Sequence, residues 1–235
     1  MSFVRMLFVN LLLLTSINFA EANVIRILPL GDSLTAGGCN ENGQWKVGGG
    51  YRLHLQQLLK MDVRYFDIVG SQMDGPVGSD RDHEGRSGWG IVQLSTIVDE
   101  TIRKYNPEIV LLMIGSNDMI KNQEIEMAPR RLLELVRKLF AAKSYMRVIV
   151  SSVLTTDNFL FNQRIIFYNE SIEQLIKQEM KTNPNLFWFD GYKESDIQAH
   201  RIDLIDGVHP SAIGYEKLGR AWYKAVSPLF KSWPQ

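Results

Sequence analysis

Short apolar runs alternate with longer amphipathic stretches along most of this 235-residue chain. The runs are rich in β-branched and aromatic residues, as buried strands are. Most of the stretches between them repeat apolar residues at the spacing of an amphipathic helix. This alternation indicates βαβ units, which pack as helices on both faces of a parallel sheet. The predicted strands are Val24 to Leu30, Val63 to Val69, Ile109 to Ile114, Val148 to Val153 and Leu186 to Asp190. The predicted helices are Tyr51 to Lys60, Ile91 to Tyr105, Ala128 to Ala142, Gln163 to Met180 and Ser211 to Ser227.

The start of the chain is typical of a secretory signal peptide. Arg5 supplies a positive charge, residues 6–17 are apolar, and Ala20-Glu21-Ala22 is a small-residue cleavage site. The sequence therefore predicts a signal peptide over residues 1–22 and one exported domain, periplasmic or secreted, over residues 23–235. The apolar stretch is shorter than a transmembrane helix requires, and an uncleaved N-terminal anchor is the alternative.

Charge and cysteine content narrow the classes of function. Lys plus Arg and Asp plus Glu both total 26, so no net charge attracts nucleic acid or an anionic membrane. Cys39 is the only cysteine, which excludes an intramolecular disulfide. No second cysteine and no closely spaced histidine pair lies nearby, so neither a metal nor another cofactor is predicted. The oligomeric state is left open.

Small polar residues follow three of the predicted strands. Gly31-Asp32-Ser33 follows the first, Gly70-Ser71 the second and Gly115-Ser116-Asn117 the third. Ligands bind beyond the carboxyl ends of the strands in an open parallel sheet, so these three loops are expected to converge on one crevice.

The other end of the chain supplies a base for a serine nucleophile. A serine hydroxyl becomes nucleophilic when a histidine takes its proton, and a carboxylate orients that histidine. Asp206 and His209 lie on one short loop and predict, with Ser33, the catalytic residues of a serine hydrolase. His200, with Asp203 three residues after it, is the alternative base. Asp32 is expected to hold the turn beside the nucleophile.

Taken together, these motifs resemble the SGNH or GDSL hydrolases, whose four blocks contribute a serine, a glycine, an asparagine and a histidine. The resemblance implies an oxyanion hole made by the backbone N–H groups of Ser33 and Gly70 and the side-chain amide of Asn117. It also implies a flavodoxin-like three-layer α/β/α sandwich with a five-stranded parallel sheet in the order 2-1-3-4-5. The structural alternatives are that Gly70 serves a tight turn, Asn117 caps a helix and Asp206 caps the last helix.

A second resemblance concerns the substrate. His83-Glu84-Gly85-Arg86-Ser87-Gly88-Trp89, with Gly50-Tyr51-Arg52, resembles the acetyl xylan esterases of carbohydrate esterase family 3. Arg86 stands where that family usually has a histidine, and a fixed cation there favours an acidic sugar or another anionic ester. Trp45 and Trp89 are predicted to stack on sugar rings or, alternatively, to pack their own loops. The Gly-rich stretch from Gly37 to Gly50 is predicted as a loop that shapes the substrate site or, alternatively, as a flexible connector.

The sequence thus predicts an exported esterase that removes acetyl groups from xylan-like carbohydrate hydroxyls through an acyl-enzyme, without a cofactor. Its expected partner is an acetylated carbohydrate or another small ester. Two alternatives stay open. One is a lipolytic GDSL enzyme, a lysophospholipase or thioesterase, and the other is a non-catalytic carbohydrate-binding protein on the same scaffold.

Overall fold

The computed structural model describes residues 24–62, 65–198 and 202–231, and the predicted signal peptide lies outside these residues. Within the described ranges, no helix is both long and apolar enough to cross a membrane. The strands are β1 (Ile25–Gly31), β2 (Gly38–Glu41), β3 (Gln44–Val47), β4 (Phe66–Ile68), β5 (Gln72–Met73), β6 (Asp82–Gly85), β7 (Ile109–Met113), β8 (Arg147–Ser151) and β9 (Leu186–Phe189). The helices are α1 (Ser33–Ala36), α2 (Gly50–Asp62), α3 (Ile91–Ser95), α4 (Val98–Tyr105), α5 (Ser116–Ile120), α6 (Ala128–Ala142), α7 (Phe159–Glu179), α8 (Gly191–Ser195) and α9 (Ala212–Lys231).

The main sheet runs in the order β5, β6, β1, β7, β8, β9, and β4 also pairs with β1. Every pair in it is parallel except β5 with β6. Counted by the predicted strands, the order is 2-1-3-4-5, so the flavodoxin-like order is confirmed. It places the end of β1 in the middle of the sheet, between β6 and β7.

Helices cover both faces of the sheet. α2 connects β1 to β4 on one side of β1, whereas α6 connects β7 to β8 and α7 connects β8 to β9 on the other side. Right-handed crossovers in opposite directions put these helices on opposite faces. α9 packs against α2, whereas α6 packs against α4 and α7. The predicted three-layer sandwich is therefore confirmed.

The core fixes α9 and the loop that leads into it. Trp222 of α9 is fully buried. Its ring stacks on Tyr51 of α2 at 5.7 Å and meets Phe189 of β9 at 4.7 Å. Burial of aromatic rings this large is a major source of folding free energy. The loop before α9, which carries Asp206 and His209, is thus attached to a firmly packed helix.

The structure differs from the sequence prediction on one side of β1. β4 pairs with the first half of β1, and β6 replaces it beside Leu30 and Gly31. β6 lies between the second predicted strand and the helix that follows it, where the sequence predicts no strand because these residues show no apolar periodicity. His83 and Glu84 are fully buried in it, and polar partners compensate for their burial.

The predicted helix from Ile91 to Tyr105 is also divided. α3 ends at Ser95 and α4 begins at Val98. The hydroxyl of Thr96 donates to the carbonyl of Gln93 at 2.7 Å. Such local bonds compete with helical hydrogen bonding, which accounts for the break.

The Gly-rich segment predicted as a loop contains a β-hairpin, β2 with β3. The strands pair in register from Gly38 with Val47 to Glu41 with Gln44. Between them, Asn42 and Gly43 have φ angles of 54° and 78°. Positive φ at both positions is the signature of a type I′ turn, and Asn-Gly is its preferred sequence. The dipeptide was thus a signal for this hairpin.

Candidate active site

Ser33 begins α1 directly after β1, at the carboxyl edge of the sheet. Asp32 is the N-cap of this helix, and its Oδ1 accepts the backbone N–H of Leu34 at 3.0 Å. Burial raises the pKa of Asp32 to about 7, opposed by that hydrogen bond. Asp32 therefore holds the turn, as the sequence predicts, and its side chain is fully buried.

The structure brings Ser33, His209 and Asp206 together although they are far apart in sequence. Ser33 Oγ lies 2.9 Å from His209 Nε2. His209 Nδ1 lies 2.8 Å from Asp206 Oδ2. Each nitrogen of the imidazole thus takes part in one hydrogen bond, Nε2 with a hydroxyl and Nδ1 with a carboxylate. This is the arrangement that allows histidine to remove a serine proton.

Backbone groups fix the carboxylate of Asp206. Its Oδ1 accepts the N–H groups of Val208 and His209, at 3.1 and 2.7 Å. Its Oδ2 accepts the N–H of Asn40 at 2.9 Å. Partial burial acts to raise the pKa of Asp206, but these hydrogen bonds and His209 outweigh it, and the pKa lies below its ordinary value. The carboxylate is therefore ionised at neutral pH.

Two alternatives concern this end of the chain: His200 with Asp203 as the base pair, and Asp206 as a cap of α9. Asp203 accepts the ammonium group of Lys217 at 2.9 Å and the N–H of Gln198 at 2.9 Å. His200 lies outside the described residues. Asp206 does not cap α9, because the hydroxyl of Ser211 accepts the N–H of Gly214 in the first turn of that helix.

Asn117 lies in the first turn of α5, beyond the end of β7. Its side-chain amide donates to the carbonyl of Trp89 at 3.0 Å. The N-cap of α5 is Gly115, so Asn117 is not there to cap the helix. An amide group carries two hydrogens, and the bond to Trp89 uses one while orienting the other.

Gly70 is not placed at the edge of the sheet where the resemblance predicts it. β4 leaves β1 after the pair of Ile27 with Ile68, and Gly70 follows alongside His83. A Cβ on Gly70 would lie 2.1 Å from the His83 carbonyl carbon. Its lack of a side chain thus serves the close approach of β6.

Gly85 occupies the place at the sheet edge instead. It pairs with Gly31, two residues before Ser33. A Cβ on Gly85 would lie 2.3 Å from the backbone nitrogen of Ala36 in α1. The backbone N–H of Gly85 donates to Nδ1 of His83 at 3.0 Å. Burial lowers the pKa of His83 to about 3, so this acceptor nitrogen is unprotonated at neutral pH.

Arg86 is bound to a buried carboxylate. Its Nε donates to Glu84 Oε1 at 2.7 Å, and its Nη2 donates to the hydroxyl of Ser71 at 2.7 Å. Its guanidinium also lies 5.3 Å from the ring centroid of Trp89, which is half-buried. Because Glu84 is fully buried, the charge of Arg86 is balanced locally.

Trp45 projects from β3 onto the ring of His209. Its ring centroid lies 5.0 Å from that of His209, with an interplanar angle of 79°. The residue remains 47% exposed. The predicted aromatic side chain is therefore at the site, but its observed contact is with His209.

Comparison with known proteins places this arrangement among the hydrolases. The model of the GDSL-like lipase/acylhydrolase family matches residues 30–217, and the chain belongs to that family. A family 3 carbohydrate esterase structure from Clostridium thermocellum is 32% identical, with a TM-score of 0.74 over 89% of this chain and 98% of that one. The resemblance predicted from the motifs is thus confirmed.

Three other proteins are similar to most or part of this chain. A family 3 carbohydrate esterase structure from Talaromyces cellulolyticus has a TM-score of 0.76 over 90% of this chain and all 100% of that one, but at 22% identity it supports the fold alone. A multidomain esterase from Ruminococcus flavefaciens is 31% identical over 91% of this chain. A putative endoglucanase X from Acetivibrio thermocellus is 26% identical over 60% of this chain. The chain spans 30% and 60% of the lengths of these two relatives.

Proposed function

We propose that this chain is an exported serine esterase that removes acetyl groups from the hydroxyls of xylan-like carbohydrate. The observation that carries the proposal is the series of hydrogen bonds from Ser33 through His209 to Asp206, at 2.9 and 2.8 Å. The identity to a family 3 carbohydrate esterase supports the substrate class. Export rests on the sequence of residues 1–22.

The proposed reaction begins with attack by Ser33 Oγ on the acetyl carbonyl carbon. His209 Nε2 takes the serine proton and then gives it to the sugar oxygen as the carbon–oxygen bond of the ester breaks. The ionised Asp206 stabilises the imidazolium formed in between. Water then attacks the acetyl-serine, and His209 takes a proton from that water. The bond between Ser33 Oγ and the acetyl carbon breaks, His209 returns the proton to Ser33 Oγ, and acetic acid leaves and ionises in water.

Charge develops on the carbonyl oxygen in both steps, and the site offers donors for it. We assign this role to the backbone N–H of Ser33 and the amide of Asn117. The second amide hydrogen of Asn117 is oriented by the bond of the first to Trp89. Donors that are held in place before the reaction stabilise such an oxyanion without reorganisation. Gly70 is not included in this assignment.

The proposed sugar contacts are Trp45, Trp89 and Arg86, which lies beside Trp89. The exposed part of Trp45 is available for a sugar ring next to the reacting ester. Arg86 is held against Glu84, so it contributes a fixed hydrogen-bond donor and little net charge. A neutral acetylated sugar suits this site better than a strongly anionic one.

The experiment measures hydrolysis of p-nitrophenyl acetate, butyrate and octanoate, and of acetylated xylan, by residues 23–235. Ser33→Ala is the matched control, because it removes only the nucleophilic oxygen. We expect acetate release from xylan, preference for the acetate ester and an inert control.

Other outcomes assign other functions. Preference for the octanoate ester would favour the lipolytic alternative, because a long acyl chain needs an apolar channel. A folded wild-type protein that cleaves no ester but binds xylan would be a carbohydrate-binding protein on this scaffold.

A further inference from the structure

The β2–β3 hairpin reaches across the site and contacts both members of the histidine–aspartate pair. From β2, the backbone N–H of Asn40 donates to Asp206 Oδ2 at 2.9 Å. From β3, the indole of Trp45 meets the His209 ring edge-on at 5.0 Å. Asn40 and Trp45 are themselves a cross-strand pair of the hairpin. One small element of structure therefore holds two catalytic side chains at once.

The hairpin is attached to α9 and closed at its own base. The hydroxyl of Tyr215, buried in α9, donates to the carbonyl of Gly38 at 2.8 Å. The N–H of Gly48 donates to the carbonyl of Gly37 at 3.1 Å and closes the base of the hairpin. The hairpin is thus fixed to the same helix that follows the catalytic loop.

The position of the indole is also fixed from within the hairpin. A Cβ on Gly38 would lie 2.1 Å from Cζ2 of Trp45, so the indole rests directly on the backbone at Gly38. Stacking on a sugar would not by itself require this contact between the indole and Gly38. The indole contacts Gly38 on one side and His209 on the other. Because the indole cannot move away toward Gly38, it restricts the rotation of the imidazole.

We propose that the β2–β3 hairpin is a positioning element for catalysis, in which Trp45 holds the plane of the His209 ring and the N–H of Asn40 holds Asp206. This inference rests on the proposed esterase function and deepens it. Asp206 Oδ2 accepts both Nδ1 of His209 and the Asn40 N–H, so the second bond keeps the carboxylate aimed at the imidazole. Small losses of such alignment lower the rate of serine activation.

The test must separate positioning from sugar stacking, and a probe without a sugar or an aromatic ring does so. Diisopropyl fluorophosphate reacts with an activated serine. A bond forms between Ser33 Oγ and phosphorus, the phosphorus–fluorine bond breaks, fluoride leaves, and the serine proton passes to His209. Intact-mass spectrometry gives the rate constant for modification, with Ser33→Ala as the unreactive control for the proposed function.

The first variants change the ring. Trp45→Ala is expected to lower the modification rate roughly threefold to tenfold, the kinetic equivalent of one lost aromatic pair. Trp45→Phe, which keeps a ring, is expected to restore most of the rate. Tyr145→Ala is the control for loss of an exposed aromatic ring. Tyr145 lies before the amino-terminal end of β8, whereas the site lies at the carboxyl ends of the strands. Thermal melts verify that each variant is folded.

The second pair of variants changes one hydrogen bond. Asn40→Pro removes the backbone N–H that reaches Asp206, whereas Asn40→Ala keeps it and is the matched control. We expect about a tenfold loss for the proline variant alone, since the bond is to a charged acceptor.

The proposal is overturned if Trp45→Ala and Asn40→Pro react at the wild-type rate. An increase in KM for acetylated xylan without a change in that rate would make Trp45 a sugar platform only. If folded wild type reacts no faster than Ser33→Ala, the proposed function itself has failed. If wild type reacts faster than Ser33→Ala and the two hairpin variants match it, only the positioning role has failed.

Discussion

Replacement of Asp206 by asparagine removes the charge of the triad while keeping the shape of the side chain. The carboxylate accepts four N–H groups, two on each oxygen. Asparagine has one oxygen, so its NH2 group must face one of these pairs of donors. If the NH2 faces His209, the imidazole adopts the tautomer that carries hydrogen on Nε2 and cannot accept the Ser33 proton. If it faces the backbone pair, the N–H groups of Val208 and His209 both lose their acceptor. The first orientation leaves only the Asn40 N–H without an acceptor, so it is the favoured one.

The magnitude follows from these contacts. Loss of the correct tautomer lowers kcat by about four orders of magnitude in a Ser-His-Asp triad. Donors left without an acceptor reduce the free energy of unfolding by about 1 to 3 kcal/mol. Natural domains are stable by roughly 5 to 15 kcal/mol, so Asp206→Asn should remain folded. The loss of activity is then a catalytic effect and not a loss of folded protein.

The assay is kcat for p-nitrophenyl acetate, together with urea unfolding followed by circular dichroism. Asp196→Asn is the matched control, since Asp196 lies in a left-handed conformation, φ 50°, that asparagine tolerates. The control should retain full activity. A loss below tenfold for folded Asp206→Asn would refute the role given to this carboxylate.

Three further predictions follow from the geometry. Asn117→Ala should lower kcat by about a hundredfold to a thousandfold, measured on the same ester, and an unchanged kcat would remove Asn117 from the oxyanion hole. Gly85→Ala should displace α1 and lower kcat by about a hundredfold, because its Cβ would lie 2.3 Å from a backbone nitrogen of α1. The control Gly48→Ala, whose Cβ would meet no atom within 4 Å, should be active. A fully active Gly85→Ala would contradict the predicted crowding. His83 is buried with its pKa lowered to about 3, whereas the unfolded chain binds a proton near pH 6.5, so stability should fall as pH decreases from 6.5 toward 3. Thermal melts at several pH values should show this dependence weakened in His83→Asn, and equal slopes for the two proteins would contradict it.

The sequence predicts those parts of the fold that depend on apolar periodicity. β7 and β8 were found because almost all of their residues are buried and apolar. The bounds of α6 are those predicted, because its apolar stripe is regular. β6 was missed because it is buried through specific polar partners of His83 and Glu84, which no periodic pattern reveals.

The candidate site shows the same division. The contact among Ser33, Asp206 and His209 could be predicted because each lies in a short motif with a chemical reason for its residues. The position of Gly70 could not be settled in this way, because a glycine after a strand suits either a tight turn or an oxyanion hole. Gly85, and not Gly70, contacts α1 because β6 replaces β4 beside the end of β1. This replacement depends on how the strands pair in the folded sheet, which the sequence pattern does not reveal.

The most direct test of the central claim is the location of the acetyl group during turnover. The protein is mixed with p-nitrophenyl acetate, quenched in acid within the first turnovers, digested and analysed by mass spectrometry. The account predicts one acetyl group on the peptide that contains Ser33, and none on that peptide in Ser33→Ala. Turnover without acetyl-Ser33, or with the acetyl group on another residue, would contradict it.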